Sequence, residues 1–419
     1  MDICIIGNSG GGISAVKTIR KYDQESTITV LSKEQAPIYS PLTLPHYIEG
    51  RVSRSELFTL SPEFYRQMGV RLLLGKEVNA LDGRKKVVSL SDGEEISADS
   101  ILIATGASPV LPEIEGVHSQ GVFTLRTLAD ADNLLSYAPS RAVILGTGAI
   151  GVELGVALER RGADVTLIGR SRVMSRLFTP AVSEKIREIL EENGVRVLLG
   201  HTIRSIYGNP VEGVRTEHDD VPCDAVIIAL GTIPNTQFIN ADEIALSARG
   251  AVVVDERLRT SLEGIYAAGE CADPVDILSG KRGVNLTWPA AIEQGKIAAM
   301  NMIGKKRVYR ASFPLNVIHV FDVPVASVGD LEGEQVDRDY QGNLVRFTRK
   351  GEQITGAQFV GYKDDSGIAQ ALAKNFRAQL EKWGSIEVSL TPYAMEPRWK
   401  MTGKGISNIM QALRKEDER

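Results

Sequence analysis

Cysteine and histidine are scarce in this sequence, which has three cysteines and five histidines among 419 residues. Cys4, Cys223 and Cys271 stand far apart, without a CxxC pair and without a histidine at the spacing of metal ligands. A disulfide framework or a structural zinc site needs paired or clustered cysteines. The sequence therefore predicts neither a disulfide framework nor a metal site.

An excess of basic residues and a long apolar run are also missing. Lys and Arg number 48 against 53 Asp and Glu, so the basic surface of a nucleic-acid-binding protein is not expected. Apolar runs of about 18 residues, which would span a bilayer, do not occur. The first apolar stretch begins at Ile3 without a basic leader and breaks at Gly7, unlike a signal peptide. We expect a cytoplasmic protein that binds neither nucleic acid nor membrane.

The amino-terminal part of the sequence instead repeats one plan twice. In each copy an apolar strand leads through a glycine turn into a helix, a second strand follows, and a later strand runs into another glycine. The strands are predicted at residues 2–6, 26–31 and 100–104 and again at 142–145, 164–168 and 225–230. Strands that alternate with helices in this way form parallel sheets covered on both faces. The pattern predicts an α/β fold with two Rossmann-like, doubly wound domains.

The second copy contains the more regular glycine turn. Gly146, Gly148 and Gly151 fit G-x-G-x-x-G between a strand and a helix. The first glycine allows the tight turn, the second lets the backbone approach a pyrophosphate, and the third lets helix and strand pack closely. Phosphates then bind at the positive end of the helix. The turn is predicted to bind a dinucleotide.

The first copy departs from this pattern at one position. Gly7, Ser9 and Gly12 occupy the three places, so serine replaces the middle glycine, while Gly10 and Gly11 keep the loop open. The strand before the turn and the helix after it are those of a nucleotide-binding unit. We predict a second dinucleotide site here.

Four motifs together resemble a known family. They are the first turn at Gly7, ATG at 104–106, the second turn followed by Glu153, and IYAAGECAD at 265–273. The sequence is similar to the two-dinucleotide-domain flavoproteins of the pyridine nucleotide-disulfide oxidoreductase superfamily. Within it, the similarity is to the NADH:rubredoxin reductase and NADH oxidase branch. The resemblance implies FAD at the first turn and NADH or NADPH at the second, because hydride transfer needs both rings in one crevice.

The resemblance also implies a domain plan, in which an FAD domain carries an inserted NAD(P)H domain. The predicted boundaries are 1–113 and 241–310 for the FAD domain, 114–240 for the NAD(P)H domain, and 311–419 for a C-terminal α+β interface domain. Strand-like runs, LNVIHVF and VPVASVG, and a helix near 368–380 favour a separate C-terminal domain. In relatives this domain usually forms a dimer interface, so we expect a homodimer or a subunit of a redox complex.

Residues of both turns, and others that match the family's motifs, are the predicted cofactor contacts. For FAD they are Gly7, Ser9, Gly10, Gly12, Lys33, Glu34, Val78, Ala104, Thr105, Gly106, Arg126, Gly269, Glu270 and Trp288. For NAD(P)H they are Gly146, Gly148, Ile150, Gly151, Arg170 and Gly231. Glu270 would bind the flavin's ribityl chain, where aspartate is commoner in the family.

Several of the FAD assignments have a plainer alternative. Lys33 and Glu34 would equally form a solvated surface pair, and Arg126 a surface ion pair. Trp288 would equally be a core tryptophan. Cys271, next to Glu270, is interpreted as a packing residue.

The strand that precedes the NAD(P)H ribose ends in LIGRSR. Gly169 stands where a ribose-binding acid is expected, and Arg170 and Arg172 follow it. Loss of the acid removes repulsion toward a 2′-phosphate, and guanidinium groups can clamp that phosphate. NADPH is favoured over NADH, with arginines on a solvated loop as the alternative.

The segment PIYSPLTLPHYIEG at 37–50 bears on the electron acceptor. Branches of the family that use thiol chemistry carry a reactive cysteine where this chain has Leu42, and leucine is no nucleophile. The active-site histidine of the oxidases aligns with Gly10. Thiol chemistry is therefore disfavoured.

The same segment is similar to the YS-x-x-x-L-x-HYI pattern of NADH:rubredoxin reductases. In those relatives the residue at or near the position of His46 faces the flavin and pairs with the glutamate that corresponds to Glu153. Such a pair would stabilise charge at flavin N5. His46 and Glu153 are the predicted catalytic residues, a satisfied loop histidine and a helix-surface carboxylate being the alternatives.

The predicted function is an FAD-dependent NAD(P)H oxidoreductase that passes electrons to an iron-sulfur or rubredoxin-like carrier. Basic residues near the end of the chain, Arg398, Lys400 and Lys404, would steer an acidic carrier, or would form a solvated tail. An oxidase or small-disulfide reductase of the same superfamily is the second hypothesis. The third is a flavoprotein without turnover, acting in signalling or as a subunit.

Overall fold

The described part of the chain leaves out four short gaps and the C-terminal segment. The computed structural model describes residues 1–275, 282–310, 315–340, 343–351 and 353–361. The helix expected near residues 368–380 and the basic residues Arg398, Lys400 and Lys404 lie outside the described residues.

The chain divides into two compact units. The larger consists of Met1–Arg170 and Gly200–Ser312, and the smaller of Ser171–Leu199 and Phe313–Arg419. Both glycine turns belong to the larger unit. The finer division into an FAD domain and an inserted NAD(P)H domain stays a prediction.

The described helices all lie between Gly10 and Met302. The α-helices are α1 Gly10–Tyr22, α2 Leu44–Glu49, α3 Pro62–Gln67, α4 Leu128–Tyr137, α5 Ala149–Glu159, α6 Pro180–Glu192 and α7 Trp288–Met302. Short 3₁₀ helices span Pro41–Thr43 and Arg54–Leu57.

The strands are short up to Asp273 and longer from Leu315 onward. The short ones are β1 Asp2–Ile6, β2 Thr27–Ser32, β3 Val70–Leu74, β4 Val78–Asp82, β5 Val87–Leu90, β6 Glu95–Ser97, β7 Ser100–Ile103, β8 Ala107–Pro109, β9 Val122–Thr124, β10 Arg141–Leu145, β11 Asp164–Gly169, β12 Arg196–Leu199, β13 Ile203–Tyr207, β14 Gly213–Thr216, β15 Asp220–Pro222, β16 Ala225–Ile228, β17 Thr232–Pro234, β18 Val252–Val253, β19 Ile265–Ala267 and β20 Ala272–Asp273. The later ones are β21 Leu315–Val320, β22 Val323–Gly329, β23 Glu334–Tyr340, β24 Asn343–Lys350 and β25 Gln353–Val360.

The first sheet of the larger unit is parallel and has the order β19-β7-β1-β2-β3. Its central strand β1 is apolar from Ile3 to Ile6 and is buried on both faces. A continuous apolar run suits a parallel strand that is covered from both sides, whereas an alternating run would leave one face in water. The glycine turn follows β1 directly.

The second sheet repeats this arrangement. Within the larger unit its strands lie in the order β11-β10-β16-β9, and all neighbours are parallel. The central strand β10 pairs with β11 from Arg141 to Leu145 and again leads into a glycine turn. The duplicated plan and the parallel, doubly wound α/β fold predicted from the sequence are confirmed.

Helix α7 packs directly on α1, behind the first glycine turn. A Cβ atom at Gly295 of α7 would lie 2.1 Å from the Gly11 carbonyl oxygen, so the two backbones touch. The Ser14 hydroxyl of α1 also donates to the Ile292 carbonyl of α7, at 2.7 Å. Small residues at both contacts allow this close approach.

The smaller unit contains an antiparallel sheet in the order β21-β22-β25-β24-β23. Helix α6 packs on it through buried Val182 and Ile186. The Thr179 amide and hydroxyl, just before α6, both donate to the Gln358 side-chain oxygen, at 2.8 and 3.0 Å. The strand-like texture expected after residue 310 is thus confirmed for the described part.

Helix α5 is not equally buried along its length. Ile150, a predicted NAD(P)H contact, is 42% exposed, whereas Leu154, Ala157 and Leu158 are buried. It lies in the first turn of α5, ahead of the part of the helix that packs on the sheet. Among the described residues, no helix has the length and apolar character that crossing a membrane requires.

Candidate active site

The two glycine turns have nearly the same backbone conformation. Gly7 has φ of 125° and Gly146 has φ of 122°. A Cβ atom would lie 2.0 Å from the Ala104 carbonyl oxygen in the first turn and 2.2 Å from the Ala229 carbonyl oxygen in the second. Both positions require glycine, because the positive φ and the contact each exclude a side chain.

The last glycine of each motif is in close contact with the first glycine of the same turn. A Cβ at Gly12 would lie 2.0 Å from the Gly7 oxygen, and one at Gly151 would lie 2.1 Å from the Gly146 oxygen. A side chain there would push the helix away from its own turn. The glycine spacing read from the sequence thus corresponds to two matching strand-turn-helix units.

Both helix amino termini are open to an anion. Ser9 and Gly148 are the N-cap residues of α1 and α5, and neither supplies a side-chain hydrogen bond to its helix. Neither helix has an acidic residue in its first turn. The first backbone N–H groups of a helix have no partner within it, so they can donate to a pyrophosphate. Both turns therefore fit the phosphates of a dinucleotide.

The first turn also holds an unused polar atom. The Tyr65 hydroxyl of α3 donates to the Asn8 side-chain oxygen at 2.6 Å. The other end of that amide, Nδ2, is buried without a hydrogen-bond partner among the described residues. Asn8 was not singled out from the sequence, because the motif leaves that position unspecified.

Trp288 and Gly10 are in contact. Trp288 is the first residue of α7, and its ring atoms lie 3.2–3.4 Å from where a Cβ of Gly10 would stand. The indole therefore packs over the first glycine turn. A larger residue at position 10 would displace it.

The motif at 265–273 is fixed by α7. The Gly269 amide donates to the Gln294 side-chain oxygen at 2.7 Å, and the Gln294 amide donates to the Tyr309 hydroxyl at 3.2 Å. Gln294 is fully buried. The sequence motifs do not mark Gln294, although a glutamine inside the apolar helix 288–302 is a signal.

Glu270 and Arg126 form an ion pair. Arg126 Nη2 lies 2.6 Å from Glu270 Oε2, and the side chains are 25% and 19% exposed. The same guanidinium nitrogen lies 3.1 Å from where a Cβ of Gly106 would stand. Two predicted FAD residues and the ATG segment, including Ala104 and Thr105, thus come together.

Lys33 and Glu34, which the sequence predicts at the adenosine end of FAD, lie in two different environments. The Tyr39 hydroxyl donates to Glu34 Oε2 at 2.5 Å and accepts from the Leu128 amide at 2.8 Å. Burial raises the pKa of the Glu34 carboxyl. Lys33 instead pairs with Glu77 at 2.7 Å and is 74% exposed. Val78, at the start of β4, is half-buried.

Position 169, where an acid of the predicted ribose site is missing, is crowded by the Thr147 side chain. A Cβ at Gly169 would lie 2.6 Å from Thr147 Oγ1 and 2.7 Å from its methyl carbon. Arg170 is exposed and has no hydrogen bond or ion pair to a described residue. Gly231 has φ of 109° and nothing within 4 Å of where its Cβ would be. The space beside Gly169 and Arg170 is thus free of carboxylate from that strand end.

His46 and Glu153 lie on α2 and α5, two helices that pack together. His46 Nδ1 is 3.7 Å from Glu49 Oε2. The expected pairing of His46 with Glu153 is absent: Glu153 has no hydrogen bond or ion pair to a described residue. Burial alone raises the pKa of Glu153 to about 7. The carboxylate that lies near His46 is that of Glu49, one turn along the same helix.

All three cysteines are buried and reduced. Burial raises the pKa of Cys4 and of Cys223 to about 12, and it raises the pKa of Cys271. Cys271 Sγ donates to the carbonyls of Ile103 and Ala268 at 3.4 Å. A thiolate nucleophile is not available from any of them, and Leu42, at the position of the family's redox cysteine, is 49% exposed. Cys271 acts in packing.

The family model described as pyridine nucleotide-disulphide oxidoreductase matches residues 1–295. This chain belongs to that family. It is 31% identical to an NADH oxidase of Methanocaldococcus jannaschii, over 79% of this chain and 75% of the relative. It is 33% identical to a rubredoxin-NAD(+) reductase of Pseudomonas putida, over 73% of this chain and 80% of the relative.

A solved structure shows the same fold over nearly the whole length. The water-forming NADH oxidase from Lactobacillus brevis aligns with a TM-score of 0.85 at 23% identity, covering 99% of this chain and 98% of that one. The family assignment makes this protein an FAD-dependent NAD(P)H oxidoreductase. The two glycine turns, each followed by a helix without a side-chain cap, are suited to those two cofactors.

Proposed function

We propose that this enzyme takes electrons from NAD(P)H through FAD and delivers them to a small iron-sulfur or rubredoxin-like protein. One NAD(P)H supplies two electrons to two one-electron carriers, and NAD(P)⁺ and a proton are released. The observation that carries the proposal is the missing thiol relay: Leu42 replaces the redox cysteine, and the three cysteines are buried. The similarity to a rubredoxin-NAD(+) reductase supports it.

We assign FAD to the first turn and its surroundings. Backbone N–H groups around Ser9, Gly10 and Gly12 would bind the pyrophosphate, since the α1 amino terminus is uncapped. Glu270, held by Arg126, would accept hydrogen bonds from the ribityl chain. The other proposed contacts are Gly7, Lys33, Glu34, Val78, Ala104, Thr105, Gly106, Gly269 and Trp288. Bound FAD supplies a two-electron acceptor that can release electrons singly.

NAD(P)H is assigned to the second turn. Gly146, Gly148, Ile150 and Gly151 would surround its pyrophosphate, and Gly231 would flank the opposite strand end. Arg170 would pair with a 2′-phosphate, because position 169 offers no competing acid. These features favour NADPH over NADH.

Glu153 and His46 are the proposed catalytic residues. Glu153 exchanges its proton near neutral pH, because burial raises its pKa to about 7, so it can hold or release a proton beside the reacting rings. His46 lies on the facing helix. Its Nδ1 is 3.7 Å from Glu49 Oε2, and its Nε2 would be left for a contact with the cofactor.

An oxidase is the second candidate. The similarity to an NADH oxidase favours it, and the exposed Leu42 would leave that side of the site accessible to a small oxidant. We also propose that the protein is cytoplasmic and forms a homodimer or joins a redox complex, as its predicted interface domain implies.

Anaerobic stopped-flow spectroscopy separates these functions. The protein is reduced with NADH or NADPH and then mixed with oxidised rubredoxin, a [2Fe-2S] ferredoxin, coenzyme A disulfide or oxygen. The proposal expects fast reoxidation by one of the two carriers and slow reoxidation by oxygen and the disulfide. Faster reoxidation by oxygen than by either carrier would replace it with the oxidase, and the absence of reduction by both nucleotides would end it.

A further inference from the structure

The carboxyl end of α2 contains a charged cluster around Glu49, whose side chain is 8% exposed. Arg51 Nε lies 2.7 Å from Glu49 Oε1, and Arg160 Nη1 donates to the same oxygen. His46 Nδ1 lies 3.7 Å from the other oxygen, within ion-pair distance but beyond a hydrogen bond. The buried carboxylate is thus matched by two guanidinium groups, as a charge removed from water requires.

Arg160 joins this cluster from a different helix. It is the C-cap residue of α5, and the next residue, Arg161, donates to the Ile48 carbonyl at 3.3 Å. Cations at a helix carboxyl end are favoured by the helix dipole. The last turn of α5 therefore holds the last turn of α2 by one ion pair and one hydrogen bond.

These two helices carry the groups assigned to the reaction. His46 is on α2 and Glu153 is on α5. The nucleotide turn at Gly148 begins α5, so the 11 residues of this helix connect the turn to the Glu49 contact. A helix of that length is a rod of about 16 Å. Moving its last turn relative to α2 would move His46 relative to Glu153 and the turn.

We propose that Glu49 is a positioning residue for hydride transfer: its ion pair with Arg160 fixes the helix of His46 against the helix of Glu153 and the nucleotide turn. The inference rests on the proposed cofactor placement but not on the identity of the electron acceptor. Nothing in the sequence motifs marked Glu49, because its partner is 111 residues away.

The first test measures flavin reduction by NAD(P)H under anaerobic conditions in Glu49→Gln, Glu49→Asp and the double variant Glu49→Gln/Arg160→Gln. In Glu49→Gln the limiting rate should fall about tenfold or more, since small displacements of reacting groups have effects of that size. The nucleotide Kd should stay within about twofold, and the double variant should be no slower than the single one, because a pair acts as a unit. Glu49→Asp keeps the charge and should recover part of the rate.

The second test measures amide hydrogen exchange and requires neither FAD nor NAD(P)H. Amide hydrogen exchange of the flavin-free protein should accelerate at residues 44–50 and in the last turn of α5 in Glu49→Gln, and stay unchanged in the strands of the larger unit. Asp337→Asn is the control, since it removes a carboxylate, 48% exposed, that pairs with Arg346 in the smaller unit. This control should change neither the reduction rate nor exchange at 44–50.

Three results would overturn the inference. They are a wild-type reduction rate in Glu49→Gln, a nucleotide Kd that rises by the same factor as the rate falls, or unchanged exchange at residues 44–50. Failure of the proposed function looks different, because the wild-type protein itself would then not be reduced by NAD(P)H.

Discussion

The two glycine turns share a backbone and differ in what covers them. The first lies under α7: the Trp288 ring packs on Gly10, and Gly295 touches the Gly11 carbonyl. In the second, nothing lies within 4 Å of where a Cβ of Gly148 would be, and Ile150 is 42% exposed. A covered turn suits a cofactor that stays bound, and an open turn suits a nucleotide that enters and leaves at each turnover.

One pair of corresponding positions in the helices α1 and α5 shows a further difference between the two copies. In α1 it is Ser14, whose hydroxyl donates to α7. In α5 it is Glu153, which has no partner among the described residues and a pKa raised to about 7. The same fold therefore uses this position for packing in one copy and places a titratable group there in the other.

The largest effects on stability and cofactor binding are expected from replacing the first glycine of either turn. Gly7→Ala and Gly146→Ala should each lower the free energy of unfolding by about 3 kcal/mol, because strain at positive φ adds to a backbone collision. Gly7→Ala should lose FAD, whereas Gly146→Ala should keep FAD and lose reduction by NAD(P)H. Denaturant titration and flavin absorbance measure both effects.

Gly93→Ala is the control for that pair, since Gly93 has φ of 89° with nothing within 4 Å of its Cβ position. It should lose only about 1 kcal/mol, the cost of the left-handed conformation alone. If Gly146→Ala released FAD and Gly7→Ala kept it, the assignment of the turns would be reversed.

The Ser14 and Glu153 difference predicts a pH effect on stability. The half-buried Glu153 carboxyl, whose folded pKa is raised from 4.5 to about 7, contributes stability that is full below pH 4.5 and is lost as the pH rises through about 7. Wild type should therefore lose up to about 3 kcal/mol relative to Glu153→Gln across that window, because a difference of one in pKa corresponds to about 1.4 kcal/mol. Thermal or denaturant unfolding from pH 4.5 to 7.5 measures it, and Ser14→Ala should show no such trend. A difference that is constant with pH would show that Glu153 titrates normally.

The cations that follow strands β2 and β11 allow a further comparison of the two copies. Arg170→Ala should reduce kcat/KM for NADPH about tenfold, the value of one charge-assisted contact, with little change for NADH. Lys33 is the corresponding cation of the first copy, but it already pairs with Glu77, so Lys33→Ala should weaken FAD binding by less than Arg170→Ala weakens the use of NADPH. Equal losses for NADPH and NADH in Arg170→Ala would remove the proposed 2′-phosphate contact.

The smallest effects are expected at one further glycine of each turn, Gly148 in the second and Gly10, next to the middle residue Ser9, in the first. Gly148→Ala should change the unfolding free energy by less than about 0.5 kcal/mol, because the position is open. Gly10→Ala must displace the Trp288 ring from 3.2 Å and should lose about 1 kcal/mol. Similar stability of the two variants would mean that α7 does not constrain the first turn.

The sequence predicted the duplicated strands and both turns because their signals are local. Apolar runs mark buried parallel strands, and glycines mark turns that a Cβ would block. It did not reveal the cover over the first turn, since Trp288 and Gly295 lie far along the chain from Gly10. Contacts of that range depend on tertiary packing, which periodicity does not encode.

In the candidate site, too, the local signals could be read from the sequence and the long-range contacts could not. The sequence shows that Gly169 stands where an acid is expected. Only the structure shows that a Cβ at this position would collide with the Thr147 side chain. His46 was found from a motif, whereas its partner Glu49 and the buried Gln294 were not. The structure does not pair His46 with Glu153: His46 Nδ1 lies 3.7 Å from Glu49 Oε2, three residues along the same helix, and the catalytic roles of His46 and Glu153 stay predictions.

The central claim is that the covered turn retains its cofactor while the open turn exchanges its own. The direct test is to compare the dissociation rates of FAD and NADP⁺ from the purified protein, by displacement in stopped-flow and dialysis experiments. We expect FAD to leave more slowly by about a thousandfold or more, which corresponds to about 4 kcal/mol. Comparable rates, or NADP⁺ that stays bound while FAD is washed out, would contradict the account.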